Sequence, residues 1–175
     1  MKNARFPKSA ALLLGALCLV FSSCAKRDAM TFAKSFLNQP APEISVEKWL
    51  PAKPVTEGKF LLVEFWTPGC SGCEAIRPVL NRFQEEFKDR LVVIGLTDDL
   101  SPEEAAKMQY TIAVDPQAKT AKTMQLDAAP YILLIDPDGI VRWEGLPFAL
   151  PAMEELTLTR DVVRRIISSY PARQS

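Results

Sequence analysis

Residues 60–66 read FLLVEFW, apolar or aromatic at every position but Glu64. A strand that does not alternate between apolar and polar is buried on both faces. It needs covering layers above and below, so the chain must build a sheet flanked by helices. Residues 90–96, RLVVIGL, form a second run of this kind. A chain of 175 residues, 48% hydrophobic and 24% charged, suits one domain, which at this size removes roughly 70% of its unfolded surface from water.

The other signals fall in a regular order. A short strand is expected over 44–50, before a proline-rich turn at Pro51 and Pro54. Ile76, Leu80, Phe83 and Phe87 have helical spacing and predict a helix over 69–88, kinked at Pro78. Ser101-Pro102-Glu103-Glu104 reads as a capping box with proline at the first helical position, opening a helix to about Gln109. A strand over 111–114 and a helix from Asp115-Pro116 to about Leu126 follow. Strands over 131–135 and 140–144 flank a hairpin turn at Asp136-Pro137-Asp138-Gly139. An amphipathic helix over 152–169 closes the chain, with Met153, Leu156, Val163 and Ile166 or Ile167 to one side. The expected fold class is α/β, a mixed central sheet with helices on both faces, parallel in its first half and antiparallel at the hairpin.

The N-terminus reads as an address. Lys2, Arg5 and Lys8 precede an apolar run over 10–21, the pattern of a secretory signal. That run is too short for a bilayer core of about 30 Å, which takes roughly 20 helical residues. Phe21-Ser22-Ser23-Cys24 resembles a bacterial lipobox, with Phe21 where that pattern usually has Leu, and the resemblance implies lipidation of Cys24. Ser23-Cys24-Ala25 also fits ordinary cleavage after Ala25. Residues 1–23 therefore read as a signal peptide of lipoprotein type, 24–43 as a tether and 44–175 as the domain. The expected location is the bacterial cell envelope, on a membrane-anchored lipoprotein facing the periplasm or other extracytoplasmic space.

Two counts restrict the chemistry. There is no histidine, which eliminates Ser-His-Asp and Cys-His nucleophile pairs and imidazole metal ligands. Of four cysteines, Cys18 leaves with the signal and a lipidated Cys24 cannot pair, leaving Cys70 and Cys73. They stand in WTPGCSGC, between a buried strand and the start of a helix. Zinc uses the same spacing but needs four ligands, and with neither His nor a second free pair no such site can be completed from Cys and His. A structural disulfide there closes too short a loop to constrain the unfolded chain much. Strand-turn-helix context points to redox work instead. No metal or cofactor is called for. The 21 basic and 21 acidic residues form no like-charge block, which argues against a nucleic-acid partner.

From Ile44 onward the chain resembles the thioredoxin superfamily, specifically the extracytoplasmic TlpA/ResA-like thiol-disulfide oxidoreductases. Gly58-Lys59 before the strand, Phe65-Trp66 ahead of CxxC, Pro78 five residues past the second cysteine, Ala129-Pro130 before a buried strand and Asp136-x-x-Gly139 carry the likeness. The resemblance implies a thioredoxin-like fold and exchange of a Cys70–Cys73 disulfide with protein thiols or disulfides. It implies that Pro130 is the family's cis-proline, facing the cysteine pair. Trp66, Ala129 and Pro130 would meet an extended substrate segment, and a membrane electron donor or acceptor would renew the pair. Three departures stand out: Gly69 where the family often has Trp, Ile76-Arg77-Pro78 in place of its ExP, and Glu64 where thioredoxin has a buried Asp.

Cys70, at the helix start, is the expected attacking thiol and Cys73 the resolving one. Glu64, an acid flanked by Val63 and Phe65, is costly in a central strand unless used or paired, and is the expected proton acceptor for Cys73. With no His to stabilise the thiolate, reduction is the expected direction. Two alternatives remain. Thr67-Pro68-Gly69-Cys70 resembles the TPGC of some peroxiredoxins, although Val63 replaces the proline usual there, which would make the protein a thiol peroxidase. A thioredoxin-fold binding module without catalysis is the other.

Overall fold

The computed structural model describes residues 32–148 and 157–171. The signal and Cys24 lie outside them. Six strands form one sheet in the order β1-β4-β3-β2-β5-β6. They are β1 (Lys48–Leu50), β2 (Phe60–Phe65), β3 (Leu91–Thr97), β4 (Thr111–Val114), β5 (Tyr131–Ile135) and β6 (Val141–Gly145). β2, β3 and β4 run parallel, while β5 lies antiparallel to β2, β6 to β5, and β1 to β4. β2 and β3, the two continuous apolar runs, are central.

Alternation along β2 sorts the core into two layers. Phe60 and Leu62 face α1 (Ser71–Glu86) and α4 (Arg160–Ser168), meeting Ile76, Leu80, Phe83, Val163 and Ile167. Val63 and Phe65 face the opposite layer with Val92, Ile94, Leu133 and Met124, the last residue capping α3 (Lys119–Thr123). Glu64 follows Leu62 onto the α1 side.

Several elements are shorter than their patterns. The strand expected over 44–50 forms only at Lys48–Leu50. α2 spans Pro102–Ala105 rather than reaching Gln109. Asn81 on α1 donates to Lys107 O and accepts from Gln109 N–H, so α1 satisfies the backbone that a longer α2 would have paired internally. α3 starts at Lys119 because Ala118 is left-handed, with φ 48°. The Asp115 carboxylate then reaches forward to Thr120 N–H at 3.0 Å. α4 starts at Arg160 with Thr159 as its cap; expected helical positions 152–156 lie outside the described residues.

The segment assigned to a tether behaves differently from Phe32 on. Phe32, Ala33, Phe36 and Ala41 pack on the α3-side layer, and Pro40 bridges Ile140. Lys34 N–H donates to Met124 O at 2.7 Å, and Asn38 N–H to Val141 O at 2.8 Å. Apolar residues at 32, 33 and 36 give this stretch something to bury, so its docked part extends the domain upstream of Ile44.

Candidate active site

β2 ends at Phe65, and residues 66–70 turn the chain into α1. Gly69 adopts φ 75°, which a residue with a Cβ reaches only under strain. Cys70 is the N-cap of α1, its Sγ accepting from Cys73 N–H at 3.1 Å. The two cysteines are joined in a disulfide, with Cα atoms 5.3 Å apart. Cys70 is half-buried, whereas Cys73 is only 1% exposed and packs with Trp66, Ile112 and Val114. In the reduced pair, Cys70 is therefore the reachable sulfur, and it sits at the helix end whose free N–H groups favour a thiolate.

The Ala129–Pro130 peptide is cis. A Cβ on Gly72 would lie 2.9 Å from Pro130 Cδ, so the proline ring rests on the backbone between the two cysteines. That close approach is what requires glycine at 72. Phe148, 43% exposed, borders the same point at 3.7 Å. Ala129 is exposed at the end of a groove of about 650 Å³ whose walls include Trp66, Thr67, Thr97, Asp115 and Leu126. Trp66 lines that groove but is 1% exposed and packs behind Cys73.

Glu64 is fully buried. Its Oε2 accepts from the Tyr110 hydroxyl at 2.8 Å, while Oε1 has no partner among the described residues. Burial pushes its pKa from 4.5 up to about 7, against the opposing pull of the Tyr110 hydrogen bond and the Arg77 charge. Burial, then the Glu64 charge, drives the Tyr110 hydroxyl far upward, so it stays a donor. Gly95, opposite Glu64 on β3, leaves room for both neighbours. A Cβ there would stand 3.0 Å from Trp66 Nε1 and 3.1 Å from Tyr110 Cε2.

Four residues of this site escape the sequence pattern: Arg77, Glu104, Tyr110 and Gly95. Arg77 is legible in principle, since it falls at helical spacing from Cys73 and Leu80 on the buried stripe of α1, where a charge needs a partner. Glu104 is accounted for by the capping pattern, which hides its second role. Ser101 does accept from Glu104 N–H at 3.4 Å, but the Glu104 side chain turns inward. It receives Gly69 N–H at 2.9 Å on Oε1 and Arg77 Nη2 at 3.1 Å on Oε2.

The cysteine pair thus sits at a strand-helix junction with the cis-proline against the backbone between its two members. The model of the AhpC/TSA family matches residues 37–144. The chain belongs to the AhpC/TSA family. Among curated relatives, the thiol-disulfide oxidoreductase YkuV of Bacillus subtilis is 30% identical over 122 residues, 61% of this chain and 82% of that protein. The thiol:disulfide interchange protein DsbE of Xylella fastidiosa is 28% identical over 155 residues, 79% of each. A solved thioredoxin-like protein in its oxidised form superposes with a TM-score of 0.62 at 25% identity, covering 77% of this chain and 98% of that one. The AhpC/TSA chain described here has the thioredoxin-like fold and is a thiol-disulfide oxidoreductase.

Proposed function

We propose that the protein reduces disulfides in extracytoplasmic proteins through Cys70 and Cys73, held at a membrane by a lipid on Cys24. The asymmetry of the pair carries this reading: Cys70 is accessible at a helix N-terminus and Cys73 is 1% exposed. The Cys70 thiolate attacks a substrate disulfide, forming a mixed disulfide and releasing one substrate thiolate. Cys73 then attacks Cys70 Sγ, the second substrate thiolate leaves, and the Cys70–Cys73 disulfide remains. One disulfide is reduced as one is formed, and a membrane donor of two electrons restores the dithiol.

Glu64 takes the Cys73 proton in the second step. Its raised pKa suits a base near neutrality, and Arg77, one helical turn beyond Cys73, acts electrostatically on it. The substrate lies extended along Ala129 and Pro130. Reduction is favoured because Ser71 and Gly72 place no cationic or imidazole side chain between the cysteines to stabilise the dithiol state. The DsbE and YkuV names, each describing thiol-disulfide exchange, support the reaction class.

The test uses the reduced single variants and a pool of oxidised proteins. Cys73→Ser should accumulate mixed disulfides cleavable by dithiothreitol, and Cys70→Ser almost none. Trapping through Cys73 alone would overturn the order of attack. Rapid peroxide consumption through Cys70, with sulfenic acid forming in Cys73→Ser, would make the protein a peroxidase. Equilibration with glutathione then sets the direction: a potential near the thioredoxin value of about −270 mV fits a reductase, and one near about −120 mV an oxidant.

A further inference from the structure

The buried pair Arg77–Glu104 joins three parts of the site that have no other reason to be tied together. Arg77 projects from α1, one turn past Cys73. Glu104 comes from α2, and its Oε1 holds the N–H of Gly69, the residue before Cys70. The Arg77 charge also acts on Glu64 and on its hydrogen-bond partner Tyr110. Arg77 is 5% exposed and Glu104 8%. A buried ion pair of this kind adds little stability over an apolar pair of the same volume, because desolvation offsets the attraction. α2 does not need it for docking either, since Asn81 already clamps residues 107–109 to α1. Arg77 Nε and Trp66 Nε1 have no hydrogen-bond partner among the described residues, so the cluster is not optimised for stability alone.

We propose that Glu104 is a positioning residue of the redox site: it ties the loop ahead of Cys70 to α1 and, by sharing the Arg77 cation, sets how strongly that cation acts on Glu64. The charged and titratable groups that act on Glu64 are then Arg77 from α1 and Tyr110 ahead of β4, with Glu104 paired to Arg77. Removing the Glu104 charge leaves the cation directed at Glu64 alone, which favours the carboxylate. Removing Arg77 takes away the cation and disfavours it. The two partners of one ion pair should therefore move the resolving step in opposite directions. A purely structural pair would move both the same way, or neither.

This proposal rests on Glu64 being the base for Cys73. Stopped-flow release of thionitrobenzoate from the reduced full-length protein mixed with excess dithiobis(nitrobenzoate) gives two phases, attack by Cys70 and resolution by Cys73. The pH midpoint of the second phase should rise by roughly one unit in Arg77→Met and fall by roughly half a unit in Glu104→Gln. In Arg77→Met, the further change Glu104→Gln should have no additional effect, because Glu104 acts through Arg77. That double variant also leaves no unpaired buried charge, so it keeps the test open if Arg77→Met alone fails to fold. The amide oxygen in Glu104→Gln still offers an acceptor to Gly69 N–H, whereas Glu104→Ala offers none. The alanine variant should therefore slow the first phase several-fold more than the glutamine variant does.

Glu64→Gln separates the two readings. If it abolishes the neutral midpoint and the Arg77 and Glu104 variants shift in the same direction or not at all, the positioning role is wrong while the base stands. If the midpoint survives Glu64→Gln, the base assignment itself fails, and the proposal fails with it. Equal first-phase rates in Glu104→Ala and Glu104→Gln would overturn the loop tie.

Discussion

Glu64 occupies the middle of a central strand, where an ionised carboxylate is hardest to keep. Val63 and Phe65 flank it, and among the described residues only Tyr110 gives its side chain a hydrogen bond. Its folded pKa of about 7 lies above the ordinary 4.5, so between these values the folded chain holds a proton that the unfolded chain has released. Stability from this group therefore falls as pH rises through that window, by on the order of 3 kcal/mol in total, and recovers on acidification. Glu64→Gln cannot ionise and should remove that slope. Urea unfolding of both proteins at about pH 5 and about pH 8 checks it: the variant should gain on the wild type at the higher pH. Parallel changes would mean that Glu64 is already ionised in the fold.

At the scale of elements, side chains from neighbouring segments decide where helices stop. Asn81 ends α2 by taking over its next backbone groups, and Asp115 starts α3 late by reaching across a left-handed Ala118. The last hairpin shows the same principle. Asp136 accepts Asp138 N–H and Ile140 N–H within the turn, Arg142 Nε at 2.6 Å from β6 and the Tyr170 hydroxyl at 2.7 Å from beyond α4. Burial pushes Asp136 upward, but these hydrogen bonds outweigh it and hold the acid below its ordinary 3.8. Its contribution is present above that ordinary value and is lost as pH falls through the lower folded one. Tyr170→Phe should lower the melting temperature at neutral pH. The cost should shrink in acid as Asp136 protonates, which melts of the two proteins at neutral and acidic pH would show. An undiminished cost would place the effect in the hydroxyl's contact with Arg142 Nη2 instead.

At the scale of the whole molecule, the domain reaches upstream of its first strand. The docked segment contributes Phe32 and Phe36 to the core, and Phe36 N–H donates to Glu144 on β6 at 2.8 Å. A chain beginning at Phe32 should match the full-length domain in denaturant, whereas one beginning at Glu43 should lose about 2–5 kcal/mol. Equal midpoints would mean that the segment adds no stability. The proposed anchor has its own test. Cys24→Ser should release the protein from membranes while leaving disulfide exchange by the domain intact; retention after carbonate extraction would rule out lipid on Cys24 as the attachment.

The sequence by itself determined what depends on neighbours along the chain. Apolar runs that do not alternate with polar residues placed β2 and β3 at the centre of the sheet. Turn residues set the hairpin at Asp136–Gly139, and the strand-turn-helix setting singled out Cys70 and Cys73, which the structure joins. Local spacing also put Cys70 first on its helix, as the N-cap of α1. Tertiary structure alone decided the partners of the charges. Glu104 lies 35 residues from Gly69 and 27 from Arg77, and Tyr110 lies 46 from Glu64. No periodicity spans such distances, so a capping pattern at Ser101–Glu104 gave no sign that its acid would turn inward. Only the packing of α2 against α1 brings that carboxylate to the loop before Cys70, where desolvation leaves it no choice but a cation and a backbone N–H.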